Sequence, residues 1–479
     1  MATASFTGPA AAGIVTPAYQ KMTLDSNYLD IQNNGWAQQY LPELYEQEVD
    51  RYGNRTISGF LAMLSAEMPL QSDQVIWSEQ GRLHLAYTGT VSTNSGVITS
   101  ILNIDTGAAE AHAVRVGATV VAEVEGVIFK ALVSATATSS VTIRPYTAEH
   151  VDDLAGITAA SSQTIKFFVY GSEFAKGTDT MSESIEPNFK TFTNRPMIIK
   201  DHFEINGSDT AQIGWIEVAG ESGQGGYLWY LKSAGDTRSR FNDYLEMAMV
   251  EAEKASGTNV FSSVTDAPEG TEGLFSAVEN RGIVATNLLD EFAESGSGVA
   301  ATDGINDFDL LLAELDKQGA IEENMLYLDR TSNLVFDDIL ANLSAGTQGG
   351  TAYGVFENSE DMALNLGFTG FRRGSYDFYK TDWKYLNDPS TRGHVGGVKG
   401  IIIPAGTSSV YDQTVGANVR RPFLHVRYRA GQTDDRKLKS WVTGSVGGAV
   451  NSNIDKMEIN YLSERCLVVQ AANNFVLLK

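Results

Sequence analysis

The chain of 479 residues holds a single cysteine, Cys466. One thiol cannot close a disulfide within the chain, and it cannot build a cysteine metal cluster. It lies in the apolar-rich segment YLSERCLVVQ, where it reads as a buried strand residue rather than a catalytic thiol. Histidine is scarce too. His84, His112, His150, His202, His394 and His425 include no i, i+4 pair and no HExxH, so the ligand spacing of a zinc site is missing. There is no G-x-S-x-G nucleophile elbow. The loop GESGQGG precedes a helical stretch but lacks the G-K-[ST] ending that places a lysine and a hydroxyl on phosphate and magnesium, so it reads as a turn. Adjacent carboxylates such as Glu322-Glu323 and Asp337-Asp338 are the chance yield of 59 acidic residues, on solvated surface. No enzyme activity, metal or cofactor is expected.

Two further shortages bound the partners. No run approaches the roughly 18 apolar residues that a bilayer requires. The N-terminus has no basic residue before Lys21 and no long apolar stretch, so it is not a signal peptide, and a soluble chain made in the cytoplasm is expected. Positive charge is in deficit as well, with 35 Lys and Arg against 59 Asp and Glu, a net charge of −24. A protein whose main task is coating nucleic acid is normally basic.

What is present is a core. Apolar residues make up 43% of the chain, and its length fits two or three domains. Glycine is frequent, at 46, and with the many Ser, Thr and Asn it points to numerous turns and strands. Residues 1–66 read as an extended arm followed by short helices broken at Gly53-Asn54. From Gln74 to Tyr146 the texture turns to β. Runs at Val114–Glu123, Val127–Ser134 and Val141–Tyr146, separated by Glu125-Gly126 and a Thr/Ser turn, predict an antiparallel meander. Residues 67–160 are assigned to this inserted β-rich minidomain, similar in texture to a small SH3-like barrel.

Beyond it, Ile165–Phe174 and Phe189–Ile205 read as two arms of a long ribbon with little to bury. Pro187 and Pro196 cannot donate to a ladder, so the second arm is not a central strand of a buried sheet. A lone two-stranded ribbon is marginal in water, so this one is expected to rest on another copy of the chain. In the next segment, Phe241, Leu245, Met249 and Ala252 form an amphipathic stripe at i, i+4, i+8, i+11, and Gly257 supplies a stop. An α/β-like region follows. TDGINDFDLLLAELDKQG predicts a helix with Ile305, Phe308, Leu311, Leu312 and Leu315 on one side, ENMLYLDR a buried strand, and RTSNLVFDDILANL a second helix. Strands are expected at LNLGFTGFRR, YDFYKTDW, KGIIIPA, FLHVRYRA, KMEINYLS and CLVVQAANNFVLLK. The fold class is α+β.

The order of these parts resembles the major capsid proteins of tailed bacteriophages, the Hong Kong 97-type fold. VYGSEFAKGTD leading to FKTFTNRPMIIKDHFEINGSDT is similar to the two strands of that family's E-loop. RFNDYLEMAMVEAEKA resembles its spine helix, FDLLLAELDKQGAIEENMLYLDRTSNLVFDDIL the helix–strand–helix of its A-domain, and KMEINYLSERCLVVQAANNFVLL the closing P-domain strands. The resemblance covers most of residues 165–479 and rests on order more than on any single motif. It implies an E-loop over 161–215, a P-domain spine helix within 216–260, an A-domain over 261–400 and returning P-domain strands over 401–479.

It also implies a function: self-assembly, as hexamers and pentamers, into an icosahedral virion shell around packaged double-stranded DNA, built in the host cytoplasm. Portal, scaffolding and cement proteins would be the other partners, with no membrane. Phe174, Lys176, Phe189, Phe192, Arg195, Ile198 and His202 are the candidate inter-subunit contacts. Seven basic residues, Arg420, Arg421, Arg427, Arg429, Arg436, Lys437 and Lys439, against Asp434 and Asp435, form a candidate patch for an acidic neighbour or for DNA on the inner face. The lysine–asparagine crosslink of some relatives is not carried over, because no motif marks a partner for Lys176. An encapsulin-type cargo shell and a β-rich carbohydrate-binding protein are the alternative readings.

Overall fold

The computed structural model describes residues 67–81, 84–103, 112–158, 162–178, 181, 184–185, 189–208, 217–219, 225–255, 268–286, 288, 301–319, 321–336, 369–405, 407–412, 417–446 and 450–479. The arm and short helices expected in 1–66 and the Gly257 stop lie outside them. The chain divides into two compact units, one of Ser78–Phe192 and one formed by Met1–Trp77 together with Thr193–Lys479.

The first unit is built on a closed six-stranded barrel. Its strands are β3 (Ala86–Ser92), β4 (Val97–Asn103), β5 (Ala118–Val124), β6 (Val127–Ala137), β7 (Ser140–Pro145) and β8 (Gln163–Ser172), joined in the order β3-β4-β7-β6-β5-β8. The expected tight turn is present between β5 and β6. Glu125 and Gly126 both take positive φ, 49° and 82°, which is what a two-residue hairpin loop needs to match strand twist. Alternate residues fill the interior: Val120, Ala122 and Val124 from β5, Ala131 and Val133 from β6, Val141 and Ile143 from β7, and Ile165 and Phe167 from β8. Closure leaves no strand edge to cap. Gly96, at φ 67°, turns β4 back so that its carbonyl accepts from Ile143 N–H at 2.9 Å; a β-carbon there would strike the Ile143 carbonyl.

Here the structure corrects the ribbon expectation. The arm at Ile165–Phe174 is the last barrel strand, β8, paired to β3 and β5. The minidomain therefore does not end at 160, because Ile165 and Phe167 are part of its core. The second arm breaks at Arg195-Pro196 into β9 (Phe189–Asn194) and β10 (Met197–Asn206). β9 pairs with β2 (Val75–Gln80), and β10 pairs along its whole length with the strand Lys456–Val469. The two arms do not pair with each other. β8 gives Ile165 and Phe167 to the barrel core, and β10 packs Ile199 beside Phe241 and Leu245.

Among the described residues the second unit contains two large sheets and two small two-stranded ones. The five-stranded one runs β1 (Glu67–Leu70), Leu424–Arg429, Lys456–Val469, β10, with Lys439–Gly444 also paired to Lys456–Val469. That last strand is continuous over 14 residues where the sequence suggested two. Helix α1 (Leu228–Glu251) runs unbroken through Gly235, where an added β-carbon would meet only open space. At 24 residues it is about 36 Å long. Its stripe is as expected: Phe241 stacks on Tyr461 at 5.7 Å between ring centroids, and Leu245 joins them beside Ile199 and Ile459. Met249 continues into the next core.

That core lies against a mixed six-stranded sheet ordered Ile283–Ala285, Val476–Leu478, Gly400–Pro404, Glu323–Leu328, Tyr376–Asp382, Thr369–Arg373. Both faces are covered. Tyr327, Ile401, Ile403 and Leu477 point to the side of α1 and of α2 (Leu274–Arg281). Leu326, Leu328, Ile402 and Val476 point to the side of α3 (Ala301–Gln318), whose Phe308, Leu311 and Leu315 are buried. Burial on both faces explains why GIIIP and ENMLYL read as continuous apolar runs without alternation. Residues 330–336 start the expected second helix.

Candidate assembly surface

The side chains expected at interfaces fall in several places. Phe174 follows the end of β8 and is 44% exposed. Its ring lies over Gly117, which has no β-carbon to displace it, while Glu173 N–H donates to Gly117 carbonyl at 2.9 Å. Phe168 and Tyr170 on the outer side of β8 and Tyr146 after β7 are also exposed. The Tyr146 hydroxyl donates to Glu173 Oε2 at 2.5 Å, and that bond to a carboxylate pushes the Tyr146 phenol up to about 12. Exposed aromatics on an otherwise closed barrel are the kind of surface that partners cover. Lys176 lies exposed in the turn beyond.

Phe189 begins β9; Phe192, half-buried in the same strand, has Lys190 Nζ 5.7 Å from its ring centroid. Arg195 is ion-paired with Glu269. Ile198 and His202 lie on the outer face of β10 with Lys200 and Glu204, opposite the residues that face α1. Register puts Glu464, Leu462, Asn460 and Glu458 beside them on the neighbouring strand. Lys456 Nζ joins Glu204 at 2.9 Å and also pairs with Glu458.

One residue that sequence reading missed fixes where β10 starts. Asn194, 1% exposed, uses both ends of its amide. Nδ2 donates to Leu467 carbonyl at 2.7 Å and to Glu272 carbonyl at 3.0 Å. Oδ1 accepts from Glu272 N–H at 2.9 Å, Arg195 N–H at 2.9 Å and Thr271 Oγ1 at 3.0 Å. This amide ties the β9–β10 corner to the loop before α2 and to the strand Lys456–Val469. In the sequence, Asn-Arg-Pro looks only like a turn.

The basic run is not an unmatched patch. Arg429 pairs with Asp73, Arg436 with Glu464 at 2.8 Å, Lys437 with Glu67, and Lys439 with Asp434 at 2.8 Å. Arg427 Nη1 donates to Pro69 carbonyl at 3.4 Å, so Arg427 and Arg429 do point the same way, toward the β1 segment. Arg420 and Arg421 lie apart on a two-stranded hairpin, in register with Ser409 and Ser408. Much of the positive charge is therefore answered within the chain, by Asp434 nearby and by Glu67, Asp73 and Glu464 from far away in sequence. Exposed pairs of this type are worth only about 0–1 kcal/mol each, so they hold β1 loosely.

Cys466 is fully buried opposite Arg427. Burial pushes its thiol up to about 12, with Arg427 opposing the shift. A thiol so raised is neutral in the folded chain and ionises first in the unfolded one, so its contribution is intact below about pH 9 and is lost as pH climbs toward 12. Stability should therefore fall above pH 9, by at most about 1.4 kcal/mol per pH unit from this group. Thiol titration at pH 8 should find Cys466 unreactive until denaturant is added; prompt labelling of the native protein would contradict the burial.

Among the described residues no group of three or more His, Cys, Asp or Glu is placed to hold a metal ion. No described helix is long and apolar enough to cross a membrane.

No protein-family model matches the sequence, and no curated protein matches it. Solved structures of phage particles are similar to it. A chain described as Mycobacterium phage Ogopogo aligns with 94% of this chain and 99% of its own at 11% identity and a TM-score of 0.39. A chain from the capsid of a native GTA particle aligns with 93% and 97% at 10% identity and 0.38. One from the bacteriophage PhiM1 mature capsid aligns with 91% of each at 8% identity and 0.37.

Proposed function

We propose that this chain is a shell subunit: many copies tile a closed icosahedral head of the Hong Kong 97 type that encloses packaged double-stranded DNA. The observation that carries the reading is α1. A single long helix lies on the β10 sheet at Phe241 and Leu245 and enters the core of the six-stranded sheet at Met249 and Val250, in the chain order that the sequence resemblance implies. In this reading α1 is the P-domain spine, the β10 sheet is the P-domain sheet, and the six-stranded sheet with α3 is the A-domain, which then takes in residues 401–404 and Val476–Leu478 that the resemblance had assigned to the P-domain. The E-loop's part passes to the barrel unit and β9, with the exposed aromatics of β8 as the contact surface. Closed shells need interfaces that repeat around symmetry axes, and stable ones bury roughly 1,200–2,000 Å². The net charge of −24 keeps unassembled subunits apart until those interfaces form. Portal, scaffolding and cement proteins are the partners of such a head, and the virion is its location.

Negative-stain microscopy of the expressed full chain tests this directly. Closed particles are expected, and in an infected cell they would hold DNA. Small shells filled with a protein cargo would favour the encapsulin alternative. A protein that stays monomeric at every concentration would overturn the shell reading.

A further inference from the structure

Strand β10 closes one side of the five-stranded sheet, and among the described residues no strand pairs with its outer edge. On the strand Lys456–Val469, Glu464 N–H donates to Arg436 carbonyl at 3.0 Å and Lys456 carbonyl accepts from Ser445 N–H at 3.0 Å, so its even-numbered residues point away from β10. Its odd-numbered residues therefore bond to β10, and the register pairs odd with odd, as in Asp201 with Tyr461. The even residues of β10, among them Ile198, Lys200, His202 and Glu204, must direct their backbone groups outward. His202 N–H agrees: it donates to the carboxylate of Asp201 at 2.9 Å rather than to the sheet. An open edge of this length is a template for another strand.

We propose that two copies of this chain pair antiparallel through β10 about a two-fold axis at His202, joining their sheets into one. This rests on the shell reading only in supplying one of its contacts. The occupant follows from charge. Parity allows only even residues to face even residues across the new ladder. Centring the axis on Lys200 sets Lys200 against its own copy, and centring it on Asp201 sets Lys200 against His202. Centring it on His202 sets Lys200 of each copy opposite Glu204 of the other, and uses nearly the whole strand. Oppositely charged cross-strand pairs stabilise and like pairs destabilise. On the face toward α1 the same register sets Ile199 opposite Ile205, an aliphatic pair on each side of the axis. The Asp201 carboxylate, also held by Arg240 at 3.4 Å, releases His202 N–H to the partner strand's carbonyl.

Cysteine chemistry reads this register cleanly, because the one native thiol, Cys466, is buried. Residues facing each other as a hydrogen-bonded pair have Cα atoms about 5.5 Å apart, within disulfide reach. Under mild oxidation the full-length His202→Cys chain should give mainly covalent dimer on non-reducing gels. Lys200→Cys alone should not, since it meets its copy four residues out of register. As a second measure, Lys200→Glu should weaken dimerisation in sedimentation equilibrium by about tenfold or more, and Lys200→Glu with Glu204→Lys should restore it. Failure of His202→Cys to crosslink, equal crosslinking at both positions, or no rescue by the double reversal overturns the pairing. Shells seen by microscopy without the crosslink would sink this contact and leave the shell reading intact. The crosslink without shells would do the opposite.

Discussion

Asn194→Asp should be among the most damaging single-atom changes in this chain, costing about 3–5 kcal/mol of stability. The replacement keeps the shape and removes both donors. An oxygen then faces the carbonyls of Leu467 and Glu272, which lose a hydrogen bond each, while a charge is placed in a site 1% exposed. The acceptor side of the amide, toward Thr271, Glu272 and Arg195, would survive. Asn194→Ala should cost somewhat less, about 3 kcal/mol, because it strands the same partners without burying a charge. Urea denaturation followed by tryptophan fluorescence would measure both. A loss under about 1 kcal/mol for the aspartate variant would mean that water reaches this corner and the amide is not the tie it looks to be.

Phe378→Ala should cost about 3–5 kcal/mol, by a different mechanism. The ring is fully buried on the α3 side of the six-stranded sheet. It lies 5.2 Å from the ring of Phe308 and 5.1 Å from that of Phe371, and Tyr376 flanks it at 6.2 Å. Removing it opens a cavity between a strand and a helix that cannot both collapse, because Phe308 also packs on Phe336. The barrel unit has a separate core and should keep its own unfolding transition, so calorimetry should show one endotherm move and another stay. Phe378→Leu should recover most of the loss; equal losses for Leu and Ala would argue against a cavity origin.

Both predictions rest on cores, and the cores were unequally visible in the sequence. The stripe Phe241, Leu245, Met249 was legible because helical periodicity is local: residues a few positions apart share a face whatever surrounds them. The Glu125-Gly126 hairpin was legible for the same reason, since two residues suffice to specify the turn. The partners of Ile165–Phe174 and Met197–Asn206 were not. A strand's sequence says that one face is apolar, but the apolar face it meets can come from any distance. β8 found β3 and β5 and so completed a barrel, while β10 found Lys456–Val469 some 250 residues away.

The candidate site divides along the same line. The amino-acid sequence was enough to establish that the chain is acidic, that no disulfide can close within it and no cysteine cluster can form, and that amphipathic and continuous apolar segments follow one another along it. The tertiary structure decided what each exposed or charged group does. Counting neighbours along the chain set seven cations against Asp434 and Asp435, but folding also brings Glu67, Asp73 and Glu464 to them. Asn194 became a buried tie only once Thr271, Glu272 and Leu467 surrounded it. That no described strand pairs with the outer edge of β10 is likewise a property of sheet order. Propensity and charge are summed along a chain, whereas pairing, burial and ionic partnership depend on distances in space that only the closed fold sets.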